Sequence, residues 1–212
     1  MVGFAVDTKK NETDNSEVGE AIRKYDENKR LTYADYESWD DENRYELIDG
    51  VAYMMAAPTL EHQSILGELY RQLANYLKGK SCRVFLAPCD VCLTGLGDED
   101  DTVVQPDIII VCDESKIVEK KRCNGAPDMT IEILSPSSSR RDLFIKLKKY
   151  KDAGVREYWI VDPDTKAVNV HILENGHYVI KSYENNDIIT VSILDDCVIT
   201  LSDVFQEAGK TG

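Results

Sequence analysis

Two short apolar runs constrain this chain more than any other feature: Asp107-Ile-Ile-Ile-Val111 and Met129-Thr-Ile-Glu-Ile-Leu134. Runs of this length, rich in β-branched residues and bounded by Pro, Asp and Ser, have the pattern of central strands buried on both faces. Ser135-Pro-Ser-Ser-Ser139 then supplies N-cap candidates for a helix through Ala153, which Gly154 closes. Glu157-Tyr-Trp-Ile-Val161 is a further strand, so Thr130 to Val161 predicts a parallel strand–helix–strand crossover. Upstream, Thr32-Tyr-Ala-Asp35 caps a short helix ending near Trp39, and Arg44–Ile48 and Val51–Met55 read as strands joined by the turn signal Asp49-Gly50. Apolar residues Ile65, Leu66, Leu69, Leu73, Tyr76 and Leu77 recur at helical steps and predict a helix over Thr59–Leu77. Short strands follow near Cys82–Leu86 and Asp90–Thr94. Ala167–Leu173, Tyr178–Tyr183 and Ile188–Ile193 read as an antiparallel meander, and Ser202–Glu207 as a short terminal helix. This order gives an α+β (α/β) domain with a mixed central sheet flanked by helices and an antiparallel C-terminal meander.

The 212 residues suffice for one such domain. Residues 1–30 are polar, with six Lys/Arg against seven Asp/Glu, and read as an arm with a short helix near Val18–Tyr25. The domain is expected over 31–207, with 208–212 as a tail. No apolar run reaches membrane-spanning length and the N-terminal residues do not resemble a secretory signal, so no membrane association and a cytoplasmic location are expected. In that setting the six cysteines are expected as reduced thiols. Cys89-Asp-Val-Cys92 has metal-ligand spacing but no second pair to complete four ligands, so it reads as strand thiols packing like small hydrophobes.

Three acids stand where acids are unwelcome. Glu46 shares a strand face with Ile48, Asp107 opens an isoleucine run, and Glu132 lies between Ile131 and Ile133. Burying an unpaired carboxylate costs several kcal/mol, so such groups are protonated, paired or bound to a cation. Three of them on elements that can share one sheet edge point to a hard cation, Mg2+ or Mn2+. On the following helix, Leu143, Phe144, Leu147 and Tyr150 define the expected buried face. Lys146 falls to one side of it, with Asp142 one turn earlier as an ion-pair partner.

The order Pro106-Asp107, then Glu132 after twenty-four intervening residues, resembles the PD-(D/E)xK nuclease motif. Pro127-Asp128 repeats the dipeptide, but too close to Glu132 to serve as the motif's first acid. More narrowly, the chain resembles the Uma2 family of restriction-endonuclease-like proteins, from about Leu31 to Phe205. The residues that carry this are Tyr45-Glu-Leu-Ile-Asp-Gly50, Pro106-Asp107, Ile131-Glu-Ile-Leu-Ser-Pro-Ser137, then Asp142, Lys146 and Tyr150, and Gly154-Val-Arg-Glu-Tyr-Trp-Ile-Val-Asp-Pro163. The motif's lysine position, two residues after the glutamate, holds Leu134 here. The resemblance moves that role to Lys146.

The resemblance implies a restriction-endonuclease-like fold and a metal-dependent endonuclease acting on nucleic acid, DNA first. Asp107 and Glu132 would hold the ion with the Ile133 carbonyl, and Glu46 would bind a water of that ion or a second ion. Lys146 would orient or deprotonate the attacking water. His62, Ser135 and Ser137 are candidate substrate contacts, although helix capping explains each of them, and Trp159 is read as core. A homodimer is common among nucleases that cut both strands and stays open here. The net charge of −14 argues against tight, non-specific DNA coating. It also keeps two other readings open: a non-catalytic interaction module on the same fold, and a metal-dependent hydrolase of a smaller phosphate ester.

Overall fold

The fold is that of a computed structural model, which describes residues 29–40, 43–119, 121–135 and 140–206. The expected arm up to residue 28, its short helix, the caps Ser137 and Ser139, and the tail lie outside the described residues. In chain order the elements are α1 (Tyr33–Glu37), β1 (Tyr45–Ile48), β2 (Val51–Met54), α2 (Leu60–Leu77), β3 (Arg83–Leu86), β4 (Asp90–Cys92), β5 (Val103–Val104), β6 (Ile108–Val111), β7 (Ile117–Val118), β8 (Arg122–Asn124), β9 (Met129–Ile133), α3 (Arg140–Ala153), β10 (Glu157–Asp162), β11 (Ala167–Glu174), β12 (His177–Glu184), β13 (Ile188–Thr190), β14 (Val198–Thr200) and α4 (Leu201–Val204).

Two mixed six-stranded sheets form, where one central sheet was expected. Their orders are β2-β1-β5-β4-β8-β7 and β12-β11-β10-β9-β6-β3. The second sheet holds the two apolar runs at its centre, with β9 parallel to β10 and antiparallel to β6. Alternation along β9 sorts its side chains. Met129, Ile131 and Ile133 join a core with Ile65, Leu69 and Leu73 of α2, which leaves Thr130 and Glu132 for the opposite face. There a second core unites Ile109 and Val111 with Val91 and Val104 of the first sheet and Tyr150 of α3. The first sheet and α3 therefore cover one face of the second sheet, and α2 covers the other.

The C-terminal meander is shorter than expected. β10, β11 and β12 form it, whereas β13 leaves to pair with β14 as a separate two-stranded sheet. Strand alternation alone could not choose that partner. Cys82 and Cys112, expected as free thiols, are joined in a disulfide. The antiparallel register Arg83↔Val111 sets these two residues directly opposite each other. Cys89, Cys92, Cys123 and Cys197 are free, the last three buried, and burial pushes all four thiols up from their ordinary pKa.

The Asp49-Gly50 signal produces the two-residue hairpin it predicts, with Ile48 paired to Val51 and both turn residues at positive φ, 53° and 76°. A Cβ on Gly50 would collide with the Arg30 side chain and lie 3.0 Å from the Leu31 nitrogen. Gly50→Ala is expected to lower stability by about 1–3 kcal/mol, read as an earlier urea midpoint. An unchanged midpoint would mean the turn accepts a side chain.

Candidate active site

β1 alternates in the same way as β9. Tyr45 and Leu47 enter a small core with Leu31 and Tyr33, and Arg44, Glu46 and Ile48 line a cleft of about 320 Å³. His62, Asp107, Glu132, Ile133, Ser135 and Lys146 line the same cleft. The predicted acids thus meet, but not along one sheet edge: Glu46 belongs to the first sheet, and Asp107 and Glu132 to the second. The site lies where the two sheets and α3 join.

Lys146 is the centre of the cluster. Its Nζ lies 2.9 Å from both Glu46 Oε1 and Oε2, and 3.0 Å from Glu132 Oε1. The helical-wheel expectation for this residue needs correction. Leu143, Lys146, Leu147 and Tyr150 make the inward stripe at steps of three, one and three, and Phe144, expected inside, is 71% exposed. An ammonium occupies a core position because two buried carboxylates await it there. Burial alone would lower the Lys146 pKa, but Glu132 and Glu46 raise it further, so the group stays charged. Burial, opposed by Lys146 and reinforced by Glu46 and Asp107, holds Glu132 above the ordinary carboxylate range. The expected Asp142 partner's side chain lies outside what is described.

Two residues that sequence reasoning did not place in the site complete it. Tyr150 Oη donates to Glu132 Oε1 at 2.6 Å. Its signal was the four-residue step from Lys146, which sets both on one helix face. The main-chain N–H of Gln105 donates to Glu46 Oε1 at 2.8 Å, a contact with no side-chain signature.

Asp107 is held from two directions. The Ile133 N–H donates to its Oδ2 at 2.7 Å, and His62 Nε2 lies 3.2 Å from the same oxygen. Thr59 Oγ1 accepts the His62 N–H, so the cap belongs to Thr59 and the His62 ring is free to reach the acid. Burial opposes its protonation, but the hydrogen bond and charge of Asp107 prevail and raise its pKa. His62 Nδ1 is buried without a partner among the described residues. Ser135 lines the cleft, and Trp159 is core, its Nε1 donating to Glu157 Oε1 at 2.7 Å.

Among the described residues, no three His, Cys, Asp or Glu side chains gather as a ready-made metal cage. What remains is a smaller donor set. Asp107 Oδ1 and Glu132 Oε2 have no partner among the described residues, and both are hard carboxylate oxygens beside the Ile133 main chain. Ions of the Mg2+ class bind through one or two carboxylates and fill their other positions with water and phosphate oxygen, so these residues fit such an ion.

The model of the Uma2 family, described as "Putative restriction endonuclease", matches residues 33–202. The chain belongs to the Uma2 family. That match spans β1, both central strands, α3 and β10, so every described residue of the cluster lies inside the Uma2 region. No curated protein matches this Uma2 chain. Among solved structures, a crystal structure titled a putative nuclease belonging to DUF820, from Anabaena variabilis ATCC 29413, superposes with a TM-score of 0.67 at 24% identity, covering 82% of this chain and 97% of that one. At that identity the likeness establishes the fold. No helix among the described residues of this Uma2 protein is long and apolar enough to cross a membrane.

Proposed function

We propose that this Uma2 protein is a metal-dependent endonuclease that hydrolyses phosphodiester bonds of nucleic acid, with DNA as the first substrate to test. The observation that supports this reading is the convergence of Glu46, Asp107, Glu132 and Lys146 on one solvent-reachable cleft, with an oxygen of Asp107 and of Glu132 to spare. Those two carboxylates, with the Ile133 carbonyl, would hold Mg2+ or Mn2+. When bound, the ion supplies Lewis-acid stabilisation of negative charge and eases deprotonation of water.

The remaining roles fall to the chain. Lys146, kept charged by Glu46 and Glu132, donates hydrogen bonds and offsets charge developing on the phosphoryl oxygens. Glu46 positions that ammonium and stands within reach of water in the cleft. His62 and the Ile133 N–H hold Asp107 in one orientation. Tyr150 does the same for Glu132. In the reaction, water adds to phosphorus and one P–O ester bond breaks, leaving a hydroxyl and a phosphate monoester.

The protein should nick supercoiled plasmid DNA in Mn2+, stop in EDTA, and resume when Mn2+ is restored in excess. A second reading, a non-catalytic module, draws on the net charge of −14 and on the way Lys146 already neutralises Glu46 and Glu132. Calorimetric titration separates the two. The absence of both Mn2+ heat and Mn2+-dependent cleavage of plasmid and single-stranded RNA would retire the nuclease reading in favour of the module.

A further inference from the structure

We infer that Arg44 is the anchor for a phosphate flanking the one that is cut, so that the substrate is a phosphodiester chain rather than a single phosphate ester; this rests on the nuclease reading above. Arg44 stands one residue before β1, on the cleft face with Glu46 and Ile48. Its guanidinium donates Nε and Nη2 to one neutral acceptor, Gln105 Oε1, at 2.9 and 2.7 Å. Gln105 cannot turn away. It is 4% exposed. Its Nε2 donates to Asp90 Oδ1 at 2.7 Å and to Tyr36 Oη at 3.0 Å, and its main chain is bonded to Glu46.

A purely structural arginine in this place would pair with Asp90, the carboxylate on the far side of Gln105. Instead the Gln105 amide stands between the two. It fixes the direction of the guanidinium without cancelling its charge. Among the described residues Gln105 is the only side-chain partner of Arg44, and the Nη1 edge of the fork is left to receive an oxyanion. Planar, directional donors of this kind are what bidentate phosphate recognition uses.

Charge balance makes the same point. A chain of net charge −14 repels a polyanion, so binding needs cations at the site itself. Of the two constitutive cations among the described cleft residues, Lys146 is engaged by Glu46 and Glu132. Arg44 is the other. Glu46 follows two residues later on the same cleft face, about 6–7 Å along the strand, which sets the anchor beside the proposed reacting centre.

The test measures binding of a short fluorescein-labelled DNA duplex to the full chain by anisotropy, across a NaCl series, with Ca2+ in place of Mn2+ and intact strands verified on a gel. Arg44→Gln should weaken binding about tenfold and lower the slope of log Kd against log salt by about one. Arg44→Lys should keep the slope, because the charge remains, and recover only part of the affinity, because the fork is gone. Should Arg44→Gln fail to fold, as judged by thermal unfolding, Arg44→Lys carries the test alone. In either case, parental affinity in the variant that folds overturns the inference and leaves the nuclease reading standing. A parent chain that does not bind this duplex, gives no Mn2+ heat and cleaves neither plasmid nor single-stranded RNA in Mn2+ overturns both together.

Discussion

Glu132→Ala is expected to remove Mn2+-dependent cleavage, a loss on the order of 10³-fold or more. Glu132 gives one oxygen to Lys146 and Tyr150 and keeps the other without a partner among the described residues. Its removal therefore takes a candidate metal donor and half of the lysine's counter-charge in one step. The fold should survive, because Glu46 still contacts Lys146 through both oxygens and the core contacts of Ile131 and Ile133 lie on the other strand face. Glu132→Gln keeps the shape and is expected to be nearly as inactive, since a neutral amide is a weak donor to a hard cation. Cleavage within a few-fold of the parent in either variant, at the same protein concentration, would end the proposal that this carboxylate holds the metal.

Lys146→Met is expected to show the largest effect on stability, a loss of about 3–5 kcal/mol. It strands two carboxylates whose side chains are only 9% and 11% exposed. The double variant Lys146→Met with Glu132→Gln should recover much of the loss, because one of the stranded charges is gone. The pH dependence has a definite sign. Glu132 already titrates above the ordinary carboxylate range, chiefly through burial, and loss of the ammonium raises it further. The folded variant then holds a proton that the unfolded chain releases. Relative to the parent, the deficit from Glu132 is therefore full only above the variant's own folded pKa, and it shrinks as pH falls through that value toward about 7, where the parent's Glu132 takes up its proton too. Urea unfolding of parent, single and double variants at two pH values reads this directly. Equal midpoints for parent and Lys146→Met would show that the ammonium does not compensate the buried acids.

The elements nearest the chemistry were the most legible. The β1–β2 hairpin follows from Asp49-Gly50, because positive φ at both positions suits few other pairs. β6, β9 and β10 follow from β-branched runs too short for helices, and α2 from its apolar period. The conflict between Glu132 and its isoleucine neighbours pointed to the site, since a buried acid requires a partner that local sequence does not supply. The identity of that partner was the weak point. A helical wheel sets Lys146 at the flank of the core and Phe144 inside it, because it weighs hydrophobicity and carries no information about two acids beneath the helix. His62 looked like a cap for the same reason: the ring's contact with Asp107 spans 45 positions in sequence.

Periodicity and turn chemistry act over a few residues, and for that reason the strands, the helices and the misplaced carboxylates could be read from the chain alone. Packing set the rest: the split into two sheets, the departure of β13 from the meander, the Cys82–Cys112 pairing, the Gln105 bridge between Arg44 and Asp90, and the lysine caught between Glu46 and Glu132. Each of these depends on which distant surfaces meet, and that is decided by burial and charge pairing summed over the whole domain.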